Sequence, residues 1–150
     1  MNLKTTDLRG ADLRGVDLRG ADLRGRNLSG AILGPSAAEW NKGLDEDYVV
    51  SAANLKGANL SKANLKGVKA MNATFDDCDL RGANLEGADL QHATFRRADL
   101  RGANLMGATL FCDFIDAQLD GKTKYLQSQM EGSRMPNGTI SRSLTYGRDY

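Results

Sequence analysis

The chain has 150 residues, 41% hydrophobic and 26% charged, with 17 glycines, two prolines, one histidine and 6% aromatics. That apolar fraction excludes a disordered chain, and a formal net charge of +1 excludes both a uniformly basic nucleic-acid binder and a uniformly acidic mimic of one. Few aromatics require that any core be built from small aliphatic side chains. No apolar run approaches bilayer length, Met1-Asn2-Leu3-Lys4 lacks a signal-peptide stretch, and Cys78 and Cys112 form no CxxC pair. A cytoplasmic protein without a disulfide framework is the expectation.

The first tract, residues 1–35, repeats every five residues, with Leu at 3, 8, 13, 18, 23, 28 and 33. Ala stands two positions before several of these, as in Ala11 and Ala21, and the unit reads A-(D/N)-L-x-G. A period of five fits neither an α-helix nor a strand, and Gly at every fifth position would weaken any helix. The units Ala11-Asp12-Leu13-Arg14-Gly15 and Ala58-Asn59-Leu60-Ser61-Lys62 resemble the pentapeptide repeat family, over about 110 of the 150 residues. The resemblance implies an all-β solenoid: a right-handed quadrilateral β-helix in which each unit forms one side and four units close a coil. It also implies that the central residue and the one two before it point inward.

After residue 35 comes an insertion, Ser36–Asp47, with Tyr48–Ala52 taken as an eighth unit that completes two coils. Ser36-Ala37-Ala38-Glu39 matches a capping box, so a short helix ending near Gly43 is expected. The insertion carries Trp40, the only Trp, and a net charge of −3 from Glu39, Asp45, Glu46 and Asp47 against Lys42.

The second tract places 53–57, 73–77, 93–97 and 112–116 on one side, and 58–62, 78–82, 98–102 and 117–121 on the next. Residues 63–67, 83–87 and 103–107 share the third side, and 68–72, 88–92 and 108–111 the fourth. This register requires a one-residue deletion at Phe111-Cys112. It makes Phe75, Phe95 and Phe114 an interior ladder, and Lys56, Asp76 and Arg96 a charged column, with Asp77, Arg97 and Asp116 a second. About five and a half coils, ~26 Å at sheet spacing, are expected. The domain reading is a β-helix over 1–121, interrupted at 36–47, and a non-repeat cap over 122–150, net +3. A cap shields the open edge of the last coil. No comparable cap precedes Leu3, so a monomer or a homodimer through a coil end is expected.

Little chemistry follows from these residues. His92 is the lone His and points outward, so no metal site, cofactor or catalytic triad is expected. Cys78 and Cys112 occupy the small inward position nearly two coils apart and read as buried, reduced packing residues. Arg26 falls on an inward position and has to snorkel out or sit near the insertion. Tyr48 is large for its slot, with Ala70 leaving room for it. Arg9, Arg14, Arg19 and Arg24 lie on four different sides, each two residues after an Asp, which makes a charge-balanced belt rather than a nucleic-acid stripe.

The resemblance implies a non-enzymatic scaffold or interaction module with an unidentified protein partner; many members, especially cyanobacterial ones, have no known biochemical activity. The candidate partner-binding loop is Trp40, Leu44, Asp45, Glu46 and Asp47, an apolar pair with an acidic rim; the rival reading folds Trp40 back onto the coil wall. Some family members mimic B-form DNA and inhibit gyrase, which requires an acidic surface that this near-neutral chain lacks. A structural spacer is the third reading.

Overall fold

The structure is a computed structural model that describes residues 3, 6–36, 38–39 and 51–140. Trp40, Leu44, Asp45, Glu46, Asp47 and Tyr48 lie outside the described residues. The chain is a four-sided β-solenoid in which one residue per side makes a parallel β-bridge to the coil above. Side A stacks Asp17, Asn54, Thr74, Thr94, Asp113 and Arg134; side B stacks Asp22, Asn59, Asp79, Asp99 and Gln118. Side C stacks Asn27, Asn64, Asn84, Asn104 and Lys124; side D stacks Asp12, Ile32, Lys69, Asp89 and Thr109.

The five-residue period follows from the hydrogen bonds. On side A, Leu18 N–H donates to the Asn54 carbonyl at 2.8 Å, and Gly20 N–H to that of Lys56 at 3.0 Å. Ala21 N–H then turns back to the Leu18 carbonyl at 3.1 Å, closing the corner. The corner residue Gly20 has φ 64°, a left-handed conformation that favours glycine. Lys62, Asn72, Asp77, His92, Arg97 and Asp116 adopt the same conformation with a side chain attached. Leu and Ala fill the bore: Leu60, Leu80 and Leu100 on side B, and Ala63, Ala83 and Ala103 on side C, are all at most 1% exposed. Phe75, Phe95 and Phe114 form the expected interior ladder, with ring centroids 4.9 and 5.2 Å apart and rings within 14° of parallel.

The second-tract register is as expected, including the missing residue: Thr94 pairs with Asp113 and Asp99 with Gln118, nineteen residues on instead of twenty. The first-tract register is not. Asp17, not Asp22, lies beneath Asn54, thirty-seven residues on. The units of Asp17, Asp22, Asn27 and Ile32 therefore complete the coil beneath Asn54, which leaves no place in the register for the expected eighth side before residue 53. The reason is the corner itself: Ala53 N–H bonds the Leu33 carbonyl at 2.6 Å, so the unit at 53 follows the unit at 31 directly.

Nor does the ladder stop at residue 121. Lys124 pairs with Asn104 and Arg134 with Asp113. Met130 is fully buried, and Tyr125 and Met135 pack against the core. The 3₁₀ turn Gln127–Met130 interrupts side D, where the Gln129 amide donates from Nε2 to the Ala108 carbonyl at 2.8 Å in place of a backbone N–H. A tight turn at Gly138 then brings Ile140 back antiparallel to Arg134. At the other end, Arg26 stays half-buried and donates from Nη2 to the Thr6 carbonyl, one coil below, at 2.6 Å.

Candidate interaction surface

On six units of the walls an arginine is paired with the aspartate two residues before it. In Asp12-Leu13-Arg14 the Asp12 carboxylate accepts from Arg14 N at 3.2 Å, Nε at 2.9 Å and Nη2 at 2.6 Å. Asp7–Arg9, Asp17–Arg19, Asp22–Arg24, Asp79–Arg81 and Asp99–Arg101 repeat that fork. The side-chain bond from its arginine holds the carboxyl of Asp7, and likewise of Asp17, down at about 2. Of the two expected columns, Asp77–Arg97 forms, with Nε 2.7 Å from the carboxylate. In the other, Asp76 accepts only the backbone N–H of Arg96, whose guanidinium turns to Asp113 at 2.6 Å. The reason is position: Asp113 occupies the bridging place one rung up, where a carboxylate faces the guanidinium.

The bore holds polar atoms only where they are satisfied internally. Cys78 Sγ donates to the Leu55 carbonyl at 2.9 Å, Cys112 Sγ to that of Leu90 at 3.0 Å, and Thr123 Oγ1 to that of Leu100 at 2.9 Å. Each replaces an inward Ala and reaches a carbonyl at the corner one coil below. Both cysteines are free and buried, and burial pushes each thiol up to about 12. Among the described residues no three His, Cys, Asp or Glu side chains gather as a metal ion would require, and no helix is long and apolar enough to cross a membrane.

The departures from the repeat converge on one corner, that between sides D and A. Gly15, Pro35, Asn72, His92, Phe111 and Gly132 follow one another up it. The insertion leaves the solenoid here after Pro35 and returns at Ala53. Its base is built as the capping box requires: Glu39 N–H donates to Ser36 Oγ at 3.2 Å, and Ser36 N–H to Glu39 Oε2 at 2.8 Å, with Ala38 and Glu39 helical. Arg14 Nη1 grips the other Glu39 oxygen at 2.8 Å, tying the insertion to the wall. A Cβ at Gly15 would lie 3.2 Å from Ser51 Cβ, so the chain at Ser51 runs close over that glycine. Above, a Cβ at Gly34 would fall on the Met71 carbonyl, and the Asn72 side-chain amide is buried without a hydrogen-bond acceptor.

Three rungs above Pro35, ~14 Å along the corner at sheet spacing, the four-residue unit leaves Phe111 half exposed. Its ring meets His92 edge-on at 5.2 Å and lies on the backbone of Gly132. An open groove of about 400 Å³ runs past it, lined by His92, Arg96, Phe111, Arg134 and Ile140. Sequence reasoning found the missing residue at 111–112 but not the groove. The signal was there: small residues at Thr123, Ser128 and Ser133, each two before Tyr125, Met130 and Met135, continue the five-residue pattern past the gap.

A family model for pentapeptide repeats matches residues 2–34, 51–87 and 73–110 in eight copies, more than half of the chain. No curated protein matches it. Among solved structures, HetL, a pentapeptide repeat protein involved in heterocyst differentiation regulation in the cyanobacterium Nostoc sp. strain PCC 7120, is 27% identical with a TM-score of 0.54. The alignment covers 88% of this chain, which spans only 65% of HetL. A pentapeptide repeat protein of the Arabidopsis thaliana thylakoid lumen is 25% identical with a TM-score of 0.53, over 89% of this chain and 86% of its own. QnrB1, a plasmid-mediated fluoroquinolone resistance protein, is 19% identical with a TM-score of 0.31, over 78% and 54%. With the five-residue register, the four bridged sides and the family match together, the chain belongs to the pentapeptide repeat family.

Proposed function

We propose that the chain is a non-enzymatic interaction module: a right-handed β-helix of about five and a half coils that presents a protein-binding corner. The carrying observation is the convergence of the insertion, its Arg14–Glu39 tie and the Phe111 groove on one edge, against a filled bore and walls whose arginines from Arg9 to Arg101 are paired. A filled bore leaves no enclosed site for a substrate. The likeness to HetL, named for a regulatory role, supports a regulatory module over an inert spacer. The forked Asp–Arg pairs speak against a DNA mimic, because the carboxylates that would imitate phosphates already hold a cation. The turn through Gly138 serves as the C-terminal cap, since it sets Ile140 antiparallel to Arg134 and ends the parallel ladder there.

The test is affinity capture from the source cell with the full chain and with a variant lacking 36–52, Pro35 replaced by Gly to restore a corner residue. A partner bound by the full chain and lost from the excised one supports the module. An unchanged set of partners removes the insertion from the surface, and no specific partner for either leaves the spacer.

A further inference from the structure

We infer that the groove beside Phe111 is a docking site for an acidic peptide segment of a partner protein, one that sets a large apolar side chain next to a carboxylate. This names the partner chemistry for the corner described above and rests on the interaction-module reading. Two independent observations carry it. The first is charge. Each of the eight wall arginines from Arg9 to Arg101 holds a carboxylate oxygen within 2.8 Å. Arg134 holds none among the described residues; it stands on side A, one rung above Asp113, and its charge reaches that carboxylate only through space. Asp113, the acidic residue of the groove, is taken: Arg96 bonds its Oδ2 from Nε at 2.8 Å, and Ile115 N–H bonds its Oδ1 at 3.1 Å. The groove therefore keeps one guanidinium with no carboxylate in ion-pair contact among the described residues.

The second observation is apolar surface. Among the described residues only Phe111, Leu126 and Ile140 are large hydrophobics in the exposed class, and two of the three, Phe111 and Ile140, line this groove at 50% exposure each. The Phe111 ring is held by His92 on its edge and Gly132 beneath it, so it is presented as a fixed platform. A guanidinium that forks a carboxylate beside a fixed aromatic is the pairing found at binding hot spots. A nucleic acid needs a track of free cations, and the neighbouring arginines are already paired. An anionic membrane likewise needs a cluster of free cations, where the groove offers one.

The experiment is an NMR titration of the ¹⁵N-labelled full chain with the pentapeptide N-acetyl-Glu-Leu-Glu-Phe-Glu-amide. Saturable shifts are expected at the amides of His92, Phe111, Gly132 and Ile140, and Arg134→Glu is expected to weaken binding at least tenfold. Phe111→Ser is expected to do the same; because Gly132 packs on that ring, Arg134→Gln, whose side chain is exposed, serves as the variant that leaves packing alone. Arg81→Gln, on side B, is expected to change nothing. The proposal is overturned by any of four results: no saturable shift at millimolar peptide, equal binding of the peptide with Lys for Glu, inorganic phosphate binding as tightly as the peptide, or undiminished binding to Arg134→Glu. Partner capture by the excised variant reads the broader proposal separately. If capture still depends on 36–52 while the peptide fails to bind, the groove assignment alone falls.

Discussion

Ala53 N–H donates to the Leu33 carbonyl at 2.6 Å, the same corner bond that Ala58 makes to Leu55 at 2.8 Å, though twenty residues separate the first pair and three the second. The insertion is thus grafted into a corner without opening it. Loop length adds closure entropy only slowly, and the corner bond does not depend on it. Excising 36–52 with Pro35→Gly is therefore expected to leave the thermal midpoint within about 5 °C of the parent, an effect near 1 kcal/mol for a chain of this size. Pro35 has to change because its ring fixes φ near −65° where the shortened corner needs a positive value. A fall of more than about 10 °C by circular dichroism would show that the insertion holds the coils together.

Two glycines separate conformational from steric need. Gly20 is left-handed, and a Cβ there meets nothing within 4 Å. Gly20→Ala is expected to cost about 1 kcal/mol, the left-handed penalty less the entropy that Ala removes from the unfolded chain. Gly34 does not have a positive φ, but a Cβ there would strike the Met71 backbone, which has no flexible end to yield. Gly34→Ala is expected to cost about 3 kcal/mol, at the upper range for overpacking. Urea midpoints read both, and equal losses would contradict the distinction.

These two positions also show what was legible in the sequence. The period, the inward Leu and Ala and the Phe ladder follow from spacing, because one five-residue unit sets one rung and one corner. The gap at 111–112 was legible because Phe114 and Leu119 resume the period after it. The Asp17–Asn54 pairing was not: which side the chain rejoins depends on the Ala53–Leu33 bond, and the sequence of Tyr48–Ala52 imitates a unit. The groove was hidden for a related reason. Arg134 stands out only once its wall position is known, and Met130 and Met135 disguise units whose central residue is usually Leu.

Asp17 and Arg19 test whether the belt is formed in solution. The Arg19 fork holds the Asp17 carboxyl at about 2, below its ordinary 3.8. A lowered carboxyl stabilises the fold above its unfolded value and loses that contribution as pH falls toward the folded one. The side-chain carboxyl resonance of Asp17 is expected to titrate near 2 in the parent and to return toward 3.8 in Arg19→Gln. High salt is expected to narrow the difference, since both groups face solvent. An unshifted midpoint in the parent would mean the fork is absent.

The thiols carry the opposite sign. Burial pushes Cys78 and Cys112 from an ordinary 9.0 to about 12, so the folded state holds their protons more tightly than the unfolded chain. Their contribution is complete below about pH 9 and is lost as pH rises toward 12. Both thiols are expected to be inert to a disulfide reagent at pH 8 until the chain unfolds. The Cys78→Ala, Cys112→Ala double variant is expected to lose part of the decline in urea midpoint between pH 9 and 11. Identical slopes in parent and variant would contradict this assignment.

Phe95 sits at the centre of the ladder, stacked on Phe75 at 4.9 Å and on Phe114 at 5.2 Å, with no exposed surface. Leu fills the corresponding place on most other rungs, so the bore accepts Leu without moving the backbone. Phe95→Leu then loses two aromatic contacts and some volume, and a cost of about 1–2 kcal/mol is expected. Phe95→Ala leaves a void walled by two rings that the coils above and below hold in place, and about 3–5 kcal/mol is expected. Because every rung rests on its neighbours, that loss should spread along the stack. Hydrogen exchange is expected to quicken at the Phe75 and Phe114 rungs before the side C rungs around Asn84. Quickening confined to the Phe95 rung would show that the coils unfold independently of the ladder.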